Sequence, residues 1–307
     1  MTRNLPILLA VAFLAPVYSQ KASNPLVGSW NFDMPGGSRA VWLGVKEIAG
    51  GLEIWYQPTG GNVYQVKNFK ADGRHLSLAL SAASANRPAL SWEVDVDGDK
   101  ITAVQKRGDA TTTLTGSRAP ELKRAAPSAW TNPEPLFNGK NLDGWEPIGN
   151  PENSKWVARD GMLINDGHGA NLKTTRKFDD FKVHFEVNCP ADGNSGFYLR
   201  GRYEMQLEYE KISSNPPERR IGSIYGRIAP KEMPRTPGEW ETFDITLVNR
   251  TVTVVRNGVT VIDRAEIEGI TGGALDAREA EPGPFYIQGD HTGGLKFRNL
   301  TVSVPKR

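Results

Sequence analysis

Three short alternating segments between Phe181 and Tyr209 constrain the fold of this chain most strongly. Residues 181–187 carry aromatic or aliphatic side chains at every second position, and residues 196–200 and 203–209 repeat the pattern. A period of two indicates strands of a sheet with one buried face. The breaks between the segments are short and contain glycine, proline and asparagine, which favours antiparallel neighbours. We therefore predict an antiparallel sheet with one polar face.

If these strands pair in the order of the chain, their polar face collects several kinds of reactive side chain. They are an imidazole, carboxylates, a guanidinium, an amide and a phenol: His184, Glu186, Tyr198, Arg200, Glu204 and Gln206. This face is a candidate functional surface. A simpler alternative stays open, because antiparallel sheets commonly turn one polar face to water.

Composition limits the class of protein further. The 307 residues are enough for two domains, and 32 glycines and 21 prolines with little helical periodicity favour an all-β chain. A net charge of +2 with scattered basic residues gives no sign of a nucleic-acid partner. The single cysteine, Cys189, excludes internal disulfides and a cysteine-rich metal site.

The first 19 residues are typical of an export signal. Arg3 precedes an apolar run from Leu5 to Val17, and cleavage after Ser19 would leave Gln20 as the new terminus. The run is short for a membrane span, although an uncleaved anchor stays open. We expect an exported protein, periplasmic or extracellular in a bacterium, with no integral membrane span after cleavage.

Residues 25–118 predict a small domain of their own. Short alternating segments are separated by turn signals such as Asp72-Gly73, which is typical of an up-and-down β-barrel or a sandwich. Gly28-Ser29-Trp30 resembles the opening of lipocalin-like barrels. Its tryptophans either form sugar-stacking platforms or fill the core and brace an accessory domain, and we favour the second interpretation. They are Trp30, Trp42, Trp55 and Trp92.

The chain changes character after a proline-rich segment, residues 119–135, which we interpret as a linker. Residues 136–307 contain about a dozen short alternating segments, and Asn257-Gly258 is a strong hairpin signal. So many antiparallel strands in one domain predict two stacked sheets, a jelly-roll β-sandwich.

An ordered series of motifs from Pro135 to the C-terminus resembles the 3-keto-disaccharide hydrolase family. The motifs are Leu136–Trp145, Asp160–Leu163, Asn194–Gly201, Tyr203–Gln206, Gly222–Gly226, Pro237–Trp240, Asn257-Gly258, Gln288–His291 and Phe297–Asn299. The resemblance implies a concanavalin-like β-sandwich related to lectins and glycosidases. One departure is Gly289, which separates Gln288 from Asp290-His291, where the family usually has Gln-Asp-His-Gly.

The activity implied by this resemblance is cleavage of glycosides that are oxidised at C3 of the sugar. The C3 ketone acidifies the C2 proton, so a base can remove it, the aglycone at C1 can leave, and water can then add. Such a site needs a base, a donor for the enolate oxygen and an acid. We interpret Glu204 or His291 as the base and Arg200 as the anchor. The substrate-binding candidates are Asn194, Gln206, Tyr225, Glu186 and Tyr198.

A divalent metal ion is a further option at this site. Asp290, His291 and Glu204 are residue types that bind metals, and an ion would polarise the ketone. No spaced ligand motif supports it, so no cofactor is certain.

Two other functions stay open. A non-catalytic, lectin-like carbohydrate-binding module is the main alternative, because the same sandwich serves both purposes. An ordinary glycosidase is the other. Glu204 and Glu208 are separated by about 13 Å along a strand, too far for either common mechanism, whereas Glu186 and Glu204 would be closer across strands.

Overall fold

The computed structural model describes residues 24–36, 39–81, 89–211 and 215–306. The expected leader, residues 1–19, lies outside these ranges. Within them the chain is all-β, with two single-turn 3-10 helices at Pro151–Asn153 and Pro217–Arg219 and no α-helix. The prediction of an all-β fold is confirmed. No helix of this described part is long and apolar enough to cross a membrane.

The first domain is one antiparallel sheet of nine strands. The strand order is β4-β3-β2-β1-β9-β8-β7-β6-β5. Its end strands, β4 and β5, are separated only by Lys67 in the chain, so the sheet curls round into an up-and-down barrel. The strands are β1 Gly28–Asp33, β2 Ala40–Ile48, β3 Gly51–Gln57, β4 Tyr64–Val66, β5 Asn68–Asp72, β6 His75–Leu80, β7 Leu90–Asp97, β8 Lys100–Arg107 and β9 Ala110–Arg118.

Aromatic side chains fill the inside of this barrel. Trp92 is fully buried, and the rings of Phe32 and Tyr56 pack edge-on against it at 5.2 Å and 5.1 Å. Trp30 is also fully buried. The interpretation as core residues is therefore confirmed for Trp30 and Trp92, whereas Trp42 is buried in the cluster of the sandwich domain and Trp55 packs partly buried against that cluster.

The second domain is a sandwich of two antiparallel sheets. The larger sheet has the order β12-β13-β22-β15-β18-β19-β20 with β10 beside β22, and the smaller one has the order β11-β14-β21-β16-β17. The predicted β-sandwich is confirmed. The strands are β10 Glu134–Pro135, β11 Trp145–Pro147, β12 Trp156–Arg159, β13 Met162–Asn165, β14 Leu172–Thr174, β15 Phe181–Asn188, β16 Asn194–Leu199, β17 Tyr203–Glu208, β18 Trp240–Val248, β19 Thr251–Arg256, β20 Val259–Glu266, β21 Tyr286–Ile287 and β22 Lys296–Ser303.

The sandwich core forms where the inner faces of the two sheets meet. Phe185 of the larger sheet stacks on Phe197 of the smaller sheet, with ring centroids 4.5 Å apart, and its cross-strand neighbour Phe243 lies 5.5 Å away. Alternation along each strand supplies these inward residues, so the opposite side chains of β16 and β17 point away from the core.

One prediction of strand pairing is wrong. Strand β15 does not pair with β16, because β15 lies between β18 and β22 in the larger sheet while β16 pairs with β17 in the smaller one. The chain crosses from one sheet to the other between Asn188 and Asn194. Alternation shows which side of a strand is buried, but it does not identify the neighbouring strand.

The outer face of β17 is also covered rather than open to water. All six of its residues are buried. The segment Gly222–Ile228 runs along this edge, and Tyr225 N donates to the Glu204 carbonyl at 2.9 Å. It forms isolated bridges instead of a regular strand.

The two domains share a packed contact. Trp42 of β2 is buried in the same cluster as the sandwich core, and the Arg227 guanidinium lies 4.2 Å above its ring. Gly272 meets the loop after β3 backbone to backbone, since a Cβ on Gly272 would lie 2.2 Å from the Gly61 carbonyl oxygen. The first domain therefore lies directly over one face of the sandwich.

Candidate active site

A cavity of about 590 Å³ lies between the outer face of the smaller sheet and the first domain. This volume is within the range of ligand pockets. Most of its lining comes from the second domain, but Gly60 and Gly61 of the first domain close one side. The polar side chains that line it are Arg39, Asn171, Asn194, Tyr198, Glu204, Gln206, Tyr225, Tyr286, Gln288, Asp290 and His291.

Strand register brings three of these side chains into one row. Tyr198 is opposite Glu204 on one side and opposite Tyr286 on the other. The two tyrosine rings stack with centroids 3.8 Å apart and an interplanar angle of 14°. They form a rigid aromatic wall beside the Glu204 carboxyl group.

Glu204 is a carboxyl group whose surroundings favour the neutral form. Burial raises its pKa to about 8. The Tyr198 hydroxyl lies 2.8 Å from Glu204 Oε2 and 2.7 Å from the Gly272 carbonyl oxygen. One phenol hydrogen can serve only one of two acceptors. A protonated Glu204 resolves this, because it donates to Tyr198 while Tyr198 donates to Gly272.

The second carboxyl oxygen of Glu204 is held by Gln206, two residues further along the same strand β17. With its amide oriented so that nitrogen faces acceptors, Gln206 donates to Glu204 Oε1 at 3.1 Å and to the Ser195 carbonyl at 3.2 Å. Gly196 leaves the space that this carboxyl occupies, since a Cβ there would lie 2.4 Å from Oε1. The position of Glu204 therefore depends on a glycine in β16.

A histidine–aspartate pair forms the other reactive group. His291 Nδ1 lies 3.0 Å from Asp290 Oδ1, and this hydrogen bond raises the pKa of His291. Asn171 Oδ1 fixes the loop by accepting from the backbone N–H groups of Gly289, at 2.7 Å, and Asp290, at 3.2 Å. Among the described residues, no group bonds to His291 Nε2. This nitrogen is therefore the one available for proton transfer.

Amide and phenol groups complete the cavity. Asn194 Nδ2 donates to Glu210 at 2.9 Å, and burial raises the pKa of Tyr225, which keeps its phenol neutral. Gln288 Nε2 donates to Tyr198 at 3.0 Å, whereas Gln288 Oε1 is buried without a partner in the described part of the chain. Buried polar atoms usually have a partner, so this oxygen is suited to accept a hydrogen bond from a ligand.

The residues considered for a metal ion do not fit one as a set. Across residues 24–36, 39–81, 89–211 and 215–306, no three His, Cys, Asp or Glu side chains cluster as metal ligands. Glu204 is instead bonded to Tyr198, and His291 to Asp290. We derive no step through a metal.

The structure brings together most of the predicted site residues. Those that line the cavity are Asn194, Tyr198, Glu204, Gln206, Tyr225, Asp290 and His291. Their roles remain predictions.

Two candidates, Arg200 and Glu186, lie elsewhere. Arg200 follows β16 in a turn, and its fully buried side chain reaches Asp179 at 3.4 Å. Glu186 lies on β15 of the larger sheet and pairs with Arg298 at 2.7 Å. The expected common face for these residues depended on β15 pairing with β16, which does not occur.

Sequence reasoning missed several lining residues. Tyr286 was detectable, because it alternates with the buried Phe285 and Ile287. Gln288 lay inside a recognised motif without being assigned a role. Arg39 comes from the first domain, and no feature of the sequence connected it to this site.

The fold and the site together define a class of protein. One cleft of this β-sandwich holds a buried neutral carboxyl, a histidine–aspartate pair and several amides. This set of groups is typical of an enzyme with a β-sandwich fold, whereas a binding module relies mainly on aromatic platforms. The chain belongs to the family described as 3-keto-alpha-glucoside-1,2-lyase-like domain, which matches residues 132–303. The family resemblance of the motifs is thereby confirmed.

Individual relatives match between about half and 60% of the chain. A 3-keto-disaccharide hydrolase of Bacteroides thetaiotaomicron is 24% identical over 221 residues, 60% of this chain and 69% of that protein. A solved structure from Parabacteroides distasonis, provisionally named a glycosyl hydrolase, is 28% identical with a TM-score of 0.46 and covers 59% of this chain and 93% of its own. The carbohydrate-binding module CBM66 of Bacillus subtilis is 13% identical with a TM-score of 0.33, and the match covers 52% of this chain and 94% of that module.

Proposed function

We propose that this protein is an enzyme that cleaves 3-keto-glycosides by removing the C2 proton and expelling the aglycone from C1. The observation that carries the proposal is the presence of Glu204, a buried neutral acid, and the His291–Asp290 pair in one cleft. Family membership supports the same chemistry. When two titratable groups in one site have environments that move their pKa values apart, one can serve as the acid and the other as the base.

His291 is the base in this proposal. Asp290 holds the proton at Nδ1, so neutral Nε2 takes the C2 proton of the sugar. The electrons of the C2–H bond pass into an enolate with its negative charge on the C3 oxygen. Arg39 is the guanidinium that lines the cavity, and it takes the role of enolate anchor first considered for Arg200.

Glu204 is the acid. As the C3 ketone reforms, a double bond forms between C1 and C2, the C1–O bond breaks, and Glu204 gives its proton to the leaving oxygen. Water then adds to this double bond. The oxygen of the water bonds to C1, and one proton of the water passes to Glu204. His291 returns to C2 the proton that it took from the sugar. The net reaction is hydrolysis, and both groups regain their starting forms.

The test compares two leaving groups. Methyl 3-keto-glucoside needs an acid to expel its alcohol, whereas 4-nitrophenyl 3-keto-glucoside releases a stable phenolate without one. We expect Glu204→Gln to slow methanol release by about 10²–10⁴-fold and nitrophenol release far less. His291→Ala should slow both. Glu152→Gln and His168→Ala change exposed residues outside the cavity and serve as matched controls.

The outcomes distinguish the alternatives. An equal loss on both substrates in Glu204→Gln would make Glu204 the base rather than the acid. A wild-type protein that binds sugars but cleaves neither substrate would favour the lectin-like binding module.

A further inference from the structure

A second cavity, of about 660 Å³, lies at one mouth of the first-domain barrel. The ends of several strands surround it, and Val41 and Leu90 are buried apolar residues in its lining. Tyr64 also lines it and is 40% exposed, one of the most exposed large apolar side chains in the described chain. The cavity therefore offers an apolar floor and an aromatic surface.

Positive charge dominates this cavity. Its charged lining residues are Arg39 and Arg107, and no carboxylate lines it among the described residues. Neither arginine forms an ion pair within that part of the chain. Tyr56 adds a hydroxyl that stays neutral, because burial raises its pKa to about 12. Two arginines with no opposing acid favour an anionic ligand.

The barrel mouth is continuous with the candidate active site. Arg39, Gly60 and Gly61 line both cavities. A ligand bound in the active site can therefore extend past the Gly60-Gly61 loop into the mouth.

We propose that the barrel mouth binds the aglycone of the substrate, and that this aglycone is an aromatic group carrying a carboxylate. The inference rests on the proposed function, because an aglycone exists only if the active site holds a glycoside. The ring would stack on Tyr64, and Arg107 would bind the carboxylate, while Arg39 at the shared border of the two cavities keeps its role at the enolate oxygen. The first domain is then the part of the enzyme that selects substrates.

Direct binding tests the mouth without any reaction. The probe is 4-hydroxybenzoate, a free aromatic carboxylate, titrated calorimetrically into the full chain, with a Kd on the order of 1 mM for such a small ligand. We expect Arg107→Gln and Tyr64→Ala to weaken binding at least about fivefold each. Both residues are exposed, so the variants should fold. Lys106→Gln, next to Arg107 on the opposite face of β8, should bind as wild type does. No binding to wild type, or equal binding to all four proteins, would overturn the proposal.

Kinetics separate this inference from the proposed reaction. The KM of wild type should be lower for 4-carboxyphenyl 3-keto-glucoside than for its neutral 4-hydroxymethylphenyl analogue, and Arg107→Gln should bring the two values together. Cleavage of both with equal KM in wild type would overturn the aglycone site and leave the reaction standing. Binding of 4-hydroxybenzoate without cleavage of either glycoside would overturn the proposed function instead.

Discussion

Replacement of Glu204 by glutamine should stabilise the protein in alkaline solution. The pKa of Glu204 is about 8 in the fold, against an ordinary value of 4.5. Between these values the folded protein holds a proton that the unfolded chain has lost, so the free energy of unfolding falls as pH rises. The gap corresponds to roughly 4–5 kcal/mol at about 1.4 kcal/mol for each pKa unit. Glutamine keeps the shape and the donor to Tyr198 without ionising.

Thermal unfolding measured from pH 4 to pH 9 checks this expectation. Near pH 4 the two proteins should melt together, and at pH 9 Glu204→Gln should melt about 5–10 °C higher. Glu208→Gln is the matched control on the same strand. Glu208 is buried and pairs with Arg235 at 3.1 Å, so its replacement should lower the melting temperature. A melting difference for Glu204→Gln that does not grow with pH would refute the neutral state of Glu204.

Three further changes probe the site and the domain contact. Gly196→Ala places a Cβ 2.4 Å from the Glu204 carboxyl, so kcat should fall at least about tenfold with a modest loss of melting temperature. An unchanged kcat would contradict the claim that catalysis needs this carboxyl in its observed position. Asp290→Asn removes the main cause of the raised pKa of His291, so the acidic limb of the pH–rate profile should move towards lower pH, and a stationary limb would exclude His291 as the base. Trp42→Ala should lower the free energy of unfolding in urea by about 3–5 kcal/mol, whereas a loss under 1 kcal/mol would mean that the domain contact contributes little.

Local structure was predictable from the sequence to a large extent. Alternation identified β15, β16 and β17, because a half-buried strand leaves a direct trace in its residue order. It also identified Glu204 and Gln206 as side chains that point away from the core. Chain order was then a poor guide to neighbours, because β15 pairs with strands more than 50 residues away.

The site residues that the sequence did not predict correctly are those whose position depends on spatial neighbours distant in the chain. Arg200 has the right chemistry for an anchor, but it lies in a turn where the chain conformation buries it. Arg39 reaches the cavity from a different domain, and its position depends on how Trp42 and Gly272 pack. Contacts between domains leave no periodic signal in either segment.

The meeting of Gly61 and Gly272 has a consequence for how substrate range would evolve. Side chains at a domain boundary can change rotamer and let a cleft widen, but two backbones in contact have no such freedom. The width of the gap between the domains is therefore set by the fold, and it is the same for every ligand. Acceptance of a bulkier or differently charged partner would then come from exchanging residues on the walls, such as Tyr64 or Arg107, and not from moving one domain against the other.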